Sequence, residues 1–203
     1  MSRKPVVYVI YYSTYGHIER LARRIMQGLE QSGVDAKLFQ VAETLPQEIL
    51  EKMSAPPKAA DVPVITAAQL AEADGFLFGV PTRFGTTPSQ IKAFFDSCGQ
   101  LWSTGALYGK FAGCFFSTSS QASGQETTAL SCVPFFVHHG INFVPIGYKS
   151  QKLGDNSDIH GGSPWGAGTI TGADGKRMPS QLELDVAHFQ GLEFGNLLKR
   201  VVH

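Results

Sequence analysis

The strand pattern Val6-Val7-Tyr8-Val9-Ile10-Tyr11 runs straight into the turn Tyr12-Ser13-Thr14-Tyr15-Gly16, and that turn into a helix opening at His17-Ile18-Glu19. An unbroken β-branched and aromatic run marks a central strand covered on both faces. The helix places Ile18, Leu21, Ala22, Ile25, Met26 and Leu29 on one face, the spacing of an amphipathic helix. First-turn N–H groups have no intrahelical acceptor and lie at the positive end of the helix dipole, so this junction is a ready anion site. No Lys or Arg lies between Ser13 and Glu19. An anion here is therefore expected to be held by N–H and hydroxyl donors, without a formal positive charge. Plain helix capping by Ser13 or Thr14 is the alternative. The turn lacks the glycine-lysine pattern of a nucleotide-hydrolase loop and the G-x-G-x-x-G dinucleotide fingerprint. Its nearest cysteine is Cys98, so no thiolate nucleophile occupies it.

Further along, Ala36–Val41 reads as a second strand and Gln47–Met53 as a short helix broken by Pro56-Pro57. Thr66-Ala67-Ala68-Gln69 is a capping box that opens another helix. Gly75–Val80 is a third strand and ends in Pro81-Thr82-Arg83-Phe84-Gly85. Pro88 starts a helix carrying Ile91, Phe94, Phe95 and Cys98, and Gly99–Gly109 reads as irregular. Phe111–Ser117 is a fourth strand, continued by the polar loop Thr118–Gln125. Glu126–His139 reads as a helix bent near Pro134, and Ile141–Pro145 as a fifth strand. Residues 146–179 are rich in glycine and poor in aliphatic side chains, and read as one long functional loop. A second capping box at Ser180–Glu183 opens the final helix, to about Val202. Strand and helix alternate five times across a single expected domain, residues 1–203, which implies a doubly wound parallel sheet with helices on both faces. Polar loops leave the carboxyl ends of strands one, three and four, where ligands bind in such sheets.

Composition narrows the function. Lys+Arg and Asp+Glu are both 17, which argues against a nucleic-acid binder. No apolar run reaches bilayer length, and Met1–Pro5 leads directly into a strand, so a soluble, cytoplasmic protein is expected, with peripheral membrane association left open. Cys98, Cys114 and Cys132 lack metal-ligand spacing and fit reduced thiols. A phosphate-accepting receiver would need acidic residues after strand one and an Asp ending strand three, and a small phosphatase a Cys after strand one; none is present. A flavin mononucleotide (FMN) site fits better. The first turn would take the 5′-phosphate, the Pro81–Gly85 and Thr118–Gly124 loops would grip the ring, and Phe84, Trp102 and Tyr148 would wall it.

Several motifs in order carry a resemblance. They are Tyr11-Tyr12-Ser13-x-Tyr15-Gly16-His17-Ile18-Glu19, Phe78-Gly79-x-Pro81-Thr82-Arg83-Phe84-Gly85, and Leu101-Trp102-x-x-Gly105-Ala106-Leu107-Tyr108-Gly109-Lys110. Gly124-Gln125-Glu126, His138-His139-Gly140, Val144–Tyr148, Gly161-Gly162-x-Pro164-x-Gly166-Ala167 and Pro179-Ser180-Gln181 follow. Over nearly its whole length the chain resembles the WrbA-type NAD(P)H:quinone oxidoreductases. That resemblance implies a flavodoxin-like fold with strand order 2-1-3-4-5. It also implies tight non-covalent FMN, NADH or NADPH as electron donor, two-electron reduction of quinones in a ping-pong cycle, and a homotetramer in equilibrium with homodimers. A flavodoxin-type electron carrier and a non-enzymatic scaffold of the same fold are the alternatives.

The resemblance assigns the phosphate turn to Ser13, Thr14, Tyr15, Gly16, His17 and Ile18. It assigns the ring site to Pro81, Thr82, Arg83, Phe84 and Gly85 and to Ser117, Thr118, Ser119, Ser120 and Gly124. Tyr15, Trp102 and Tyr148 are the expected substrate contacts. His138 is the expected pocket histidine and the catalytic candidate, as donor to a developing quinolate oxygen. The resemblance further implies that neighbouring subunits wall the pocket, with residues 146–179 at the contact. One departure stands out: Ser119 and Ala122-Ser123 occupy positions where the family has glycines. If those glycines use positive φ, side chains here are expected to be strained.

Overall fold

β1 (Val6–Tyr11) lies at the interior of a parallel sheet, between β2 (Asp35–Gln40) and β3 (Gly75–Pro81). The computed structural model describes residues 3–202; Met1, Ser2 and His203, and with them the start of the Met1–Pro5 lead-in, lie outside the described residues. The strand order is β2-β1-β3-β4-β5, with β4 at Phe111–Thr118 and β5 at Asn142–Phe143. Alternate residues of each strand serve the two faces. Tyr8, Ile10, Phe76 and Phe78 pack on one side, beneath α3 (Ser89–Asp96), α5 (Gln125–Leu130) and α6 (Val133–His138). Val7, Val9, Leu77 and Phe115 pack on the other, beneath α1 (His17–Ser32) and the terminal α7 (Gln181–Val201). Those two helices meet backbone to backbone: a Cβ on Gly191 would fall 2.2 Å from the Ile25 carbonyl oxygen. α2 (Gln47–Lys52) is a short surface turn after β2, and the Thr66 capping box opens a 3₁₀ helix, Ala67–Glu72, in place of an α-helix.

Two stretches differ from the sequence reading. Gly99–Gly109, expected to be irregular, contains the helix α4 (Gly99–Thr104), closed by Gly105 at φ +65°. Residues 146–179, expected to be one loop, contain a 3₁₀ turn at Gln151–Gly154 and a further strand, β6 (Gly168–Ile170). The cause is the edge of β4. β5 pairs only with Phe111 and Ala112, whereas β6 pairs with Phe116, Ser117 and Thr118. The fifth position of the sheet is thus filled by two short strands. Left unpaired, the upper part of β4 would present bare backbone donors and acceptors. Among the described residues no helix is long and apolar enough to cross a membrane.

Candidate functional site

The loops after β1, β3 and β4 converge at the carboxyl edge of the sheet on a cavity of about 490 Å³. Ser13, Thr14, Tyr15, His17 and Ile18 line one end, and Pro81, Thr82, Arg83, Phe84, Ser117, Thr118 and Ser119 the other. A fourth wall, absent from the sequence reading, is the turn after β6: Thr171, Gly172, Ala173 and Gly175, with Met53 opposite. Only the small residues Thr171, Gly172 and Gly175 hint at a turn in the sequence, because the three-residue strand before them is too short to read as one.

The turn after β1 is shaped locally. Gly16 adopts φ +87° at the helix cap, and its N–H donates to Ser13 Oγ at 3.0 Å. Ser13 therefore both caps the turn and keeps its own O–H. Gly16 shapes the wall without lining it. The amides of His17, Ile18 and Glu19 begin α1 and have no intrahelical acceptor. The expectation of an anion site without cations is corrected by long-range contacts. Arg83 Nη2 donates to Thr14 Oγ1 at 3.1 Å, and Lys58 Nζ donates to the Ser13 carbonyl at 2.9 Å. Neither neighbour can be read from the turn itself, since they come from 69 and 45 residues away. Burial, the largest influence on His17, holds its imidazole below the ordinary 6.5, and among the described residues its Nε2 finds no hydrogen-bond partner.

Phe84 sits fully exposed at the mouth with φ +55°, a left-handed conformation unusual for an aromatic residue. Gly85 follows at φ +79° and lies outside the cavity lining. Such strain is characteristic of functional turns. Across the mouth, the Tyr15 hydroxyl donates to the Met53 carbonyl at 3.1 Å. The strain expected at Ser119–Ser123 is not found: among the described non-glycine residues only Ser54 and Phe84 have positive φ. The serines fit ordinary backbone, and Gly124 at φ +86° takes the left-handed position at the start of α5. Ser120 and Gly124 lie outside the main cavity. Ser120 hydrogen-bonds Ser123 on the surface, and Gly124 borders a separate polar depression with His160.

The fourth wall is pinned by one carboxylate. Glu183 is fully buried and accepts from the amides of Gly161 (2.8 Å), Ile170 (3.1 Å) and Ser180 (2.7 Å) and from Thr169 Oγ1 (2.9 Å). Arg177 Nη1 completes the set at 3.0 Å. The Thr171 amide donates to the Thr118 carbonyl at 2.8 Å, which joins this wall to the end of β4.

Trp102, His138 and Tyr148 do not line this chain's own cavity. Trp102 and His138 line a different groove with Phe95, Phe135 and His139. Parallel strands require each crossover helix to run back along the sheet, so the far ends of α3 and α6 lie at its amino edge. Trp102 follows α3 and His138 ends α6, so both lie at the edge opposite the cavity. The backbone bond from Gly109 N to Gly140 O, 2.9 Å, joins the two segments there. Tyr148 stands between β5 and β6, 77% exposed. Among the described residues no group of histidines, cysteines and carboxylates could hold a metal ion.

Residues 7–151 match the protein family described as NADPH-dependent FMN reductase. The chain is 55% identical over 197 residues to a quinone-oxidoreductase, QR2, of Triphysaria versicolor, covering 96% of each. It is 52% identical over 193 residues to the minor allergen Alt a 7 of Alternaria alternata, covering 94% of this chain and 95% of that one. A WrbA-like flavodoxin structure from Agrobacterium tumefaciens superimposes with a TM-score of 0.66 at 22% identity, over 97% of this chain and 99% of the other, a likeness of fold.

Proposed function

The chain belongs to the NADPH-dependent FMN reductase family, and we propose that it catalyses the FMN-dependent reduction of quinones by NADH or NADPH. The observation that carries this reading is the identity, across almost the full chain, with a protein named quinone-oxidoreductase. The cavity fits the cofactor. One part of its lining offers the first-turn amides of α1 and the Ser13 hydroxyl to a phosphate. Another offers Thr82, Ser117, Thr118 and Ser119 to the polar edge of a ring, with Phe84 exposed beside it.

FMN, when bound, supplies the electron chemistry, taking two electrons from the nicotinamide nucleotide and passing them to the quinone. The chain's own residues bind and orient. Arg83, the cation on the cavity wall, offers charge-assisted donors to anionic or carbonyl oxygens. Tyr15 stands 44% exposed at the mouth, a flat face for the nicotinamide. Donor and acceptor use the same open side in turn, which gives ping-pong kinetics. Trp102 is 60% exposed and lies outside its own chain's cavity, which supports a role against another chain's mouth. We place it, with His138 and Tyr148, against a neighbouring subunit's cleft in a homotetramer that dissociates to homodimers. There Trp102 stacks on the aromatic substrate and His138 is the proton donor to the reduced quinone oxygen. The buried free cysteines Cys98, Cys114 and Cys132 accord with a cytoplasmic setting.

Purified protein supplied with FMN should show flavin absorbance, and steady-state rates with NADH or NADPH and a quinone panel should give parallel double-reciprocal plots. Failure to bind FMN, or bound FMN that neither nucleotide reduces, would defeat the proposal.

A further inference from the structure

Beneath the turn after β1 lies Glu43, a carboxylate that the proposed reaction leaves without a task. It accepts from the Thr44 and Leu45 amides at 2.9 and 3.1 Å, from Gln90 Nε2 at 2.9 Å and from the Tyr12 hydroxyl at 2.9 Å. It also pairs with Lys58 at 2.8 Å. Burial opposes its charge, but these donors outweigh burial and bring the carboxyl down to about 2. An ionised carboxylate only accepts. Tyr12 therefore commits its single O–H to Glu43, and burial first of all keeps that phenol protonated, pushed up to about 12. What Tyr12 shows to Thr14 is a lone pair, and the Thr14 hydroxyl donates to it across 3.4 Å. With its proton directed inward, Thr14 in turn shows a lone pair to Arg83. Nη2 of Arg83 donates to that oxygen at 3.1 Å, and Nη1 donates to the Thr82 carbonyl at 2.8 Å.

We propose that Glu43 is a positioning residue for cofactor binding. It fixes the direction of the chain Thr14 to Tyr12 to Glu43, makes Thr14 an acceptor, and so anchors the Arg83 guanidinium on the cleft wall for the oxygens of a bound flavin nucleotide. A guanidinium has five N–H donors, so the two acceptors that anchor it leave others for the ligand. Replacing the carboxylate by an amide reverses the logic. The amide donates to Tyr12, Tyr12 then donates to Thr14, and the Thr14 proton turns against the N–H of Arg83. The inference rests on the FMN reading of the cleft.

The test is a double-mutant cycle read by flavin fluorescence as FMN is titrated into apo protein. Glu43→Gln and Arg83→Gln should each weaken FMN binding by about tenfold, the scale of one charge-assisted hydrogen bond. The double variant should bind no more weakly than Arg83→Gln alone, because Glu43 acts through Arg83. Tyr12→Phe cuts the chain at its middle while keeping every charge, and serves should Glu43→Gln fold poorly by circular dichroism. It too should weaken FMN binding alone and add nothing to Arg83→Gln. Losses that multiply in the double variants would overturn the inference, as would unchanged affinity in Glu43→Gln or Tyr12→Phe. Wild-type protein that binds no FMN would overturn the cofactor reading as well, and the first titration separates the two failures.

Discussion

The two ends of the sheet are built differently. At the carboxyl end, a cavity of about 490 Å³ is enclosed by four turns of one chain, and its polar groups are held by Glu43 on one side and Glu183 on the other. At the amino end, the groove beside Trp102 and His138 carries a cluster of aromatic rings, with Phe95 and Phe135 stacked at 4.0 Å. Polar groups pre-set in one chain suit a cofactor that stays bound. Exposed aromatic surface suits contact with a neighbour or a flat substrate. On the proposed reading, the carboxyl-end cavity of each chain binds the cofactor, and a neighbouring chain's aromatic surface completes the site.

The largest expected effect lies at the carboxyl end. Glu183→Ala leaves Arg177 and the Gly161, Ile170 and Ser180 amides without their acceptor, and should cost about 3–5 kcal/mol in denaturant unfolding. FMN binding should fail with it, through loss of the Thr171–Gly175 wall. A near-neutral result would mean that the fourth wall stands without its carboxylate. Glu43→Gln should cost roughly 3 kcal/mol at neutral pH, the linkage value of a carboxyl lowered from 4.5 to about 2. Because the folded value is the lower one, that stabilisation is full above the ordinary 4.5 and is lost as pH falls through 2. Wild type and variant should therefore converge in stability at the acid end, and a constant gap at all pH values would remove the ionic origin.

Two smaller effects sharpen the contrast. Thr14→Val should weaken FMN binding by about 1–3 kcal/mol, the cost of an unpaired charged group, while the apo fold stays nearly intact. Unchanged affinity by fluorescence titration would show that Thr14 does not anchor Arg83 for the cofactor. At the other end, Trp102→Ala should lower turnover of aromatic acceptors by about tenfold, near 1.4 kcal/mol of lost stacking, and leave FMN affinity almost unmoved. Equal activity at full FMN loading would make Trp102 a loop anchor only.

The sheet was legible because its signals are local. The runs at Val6–Tyr11 and Gly75–Val80 and the apolar face of α1 announce themselves within a few residues. The loops after β1, β3 and β4 follow from that topology. β6 was not legible: Gly168-Thr169-Ile170 is too short to read as a strand, and only the open edge of β4 makes it one. Arg83 and Lys58 behind the first turn, and Glu183 behind the fourth wall, are contacts across large sequence separations, which periodicity does not encode. That Trp102 and His138 line a groove apart from their own chain's cavity was not legible, because the return direction of a crossover helix is a property of the fold.

In the proposed assembly, the FMN cleft of each chain is completed by a neighbour, which strengthens cofactor retention and supplies Trp102 and His138 for turnover. Analytical ultracentrifugation of apo and FMN-loaded protein across one dilution series, with quinone turnover per bound FMN measured on the same samples, tests it directly. FMN should shift the distribution from dimer towards tetramer, with a coupling of about 1–3 kcal/mol. Dilution should weaken FMN retention to the same extent, and turnover per bound FMN should fall as the assembly dissociates. Superimposable distributions with and without FMN, with constant affinity and constant turnover at every concentration, would show that the whole site belongs to one chain.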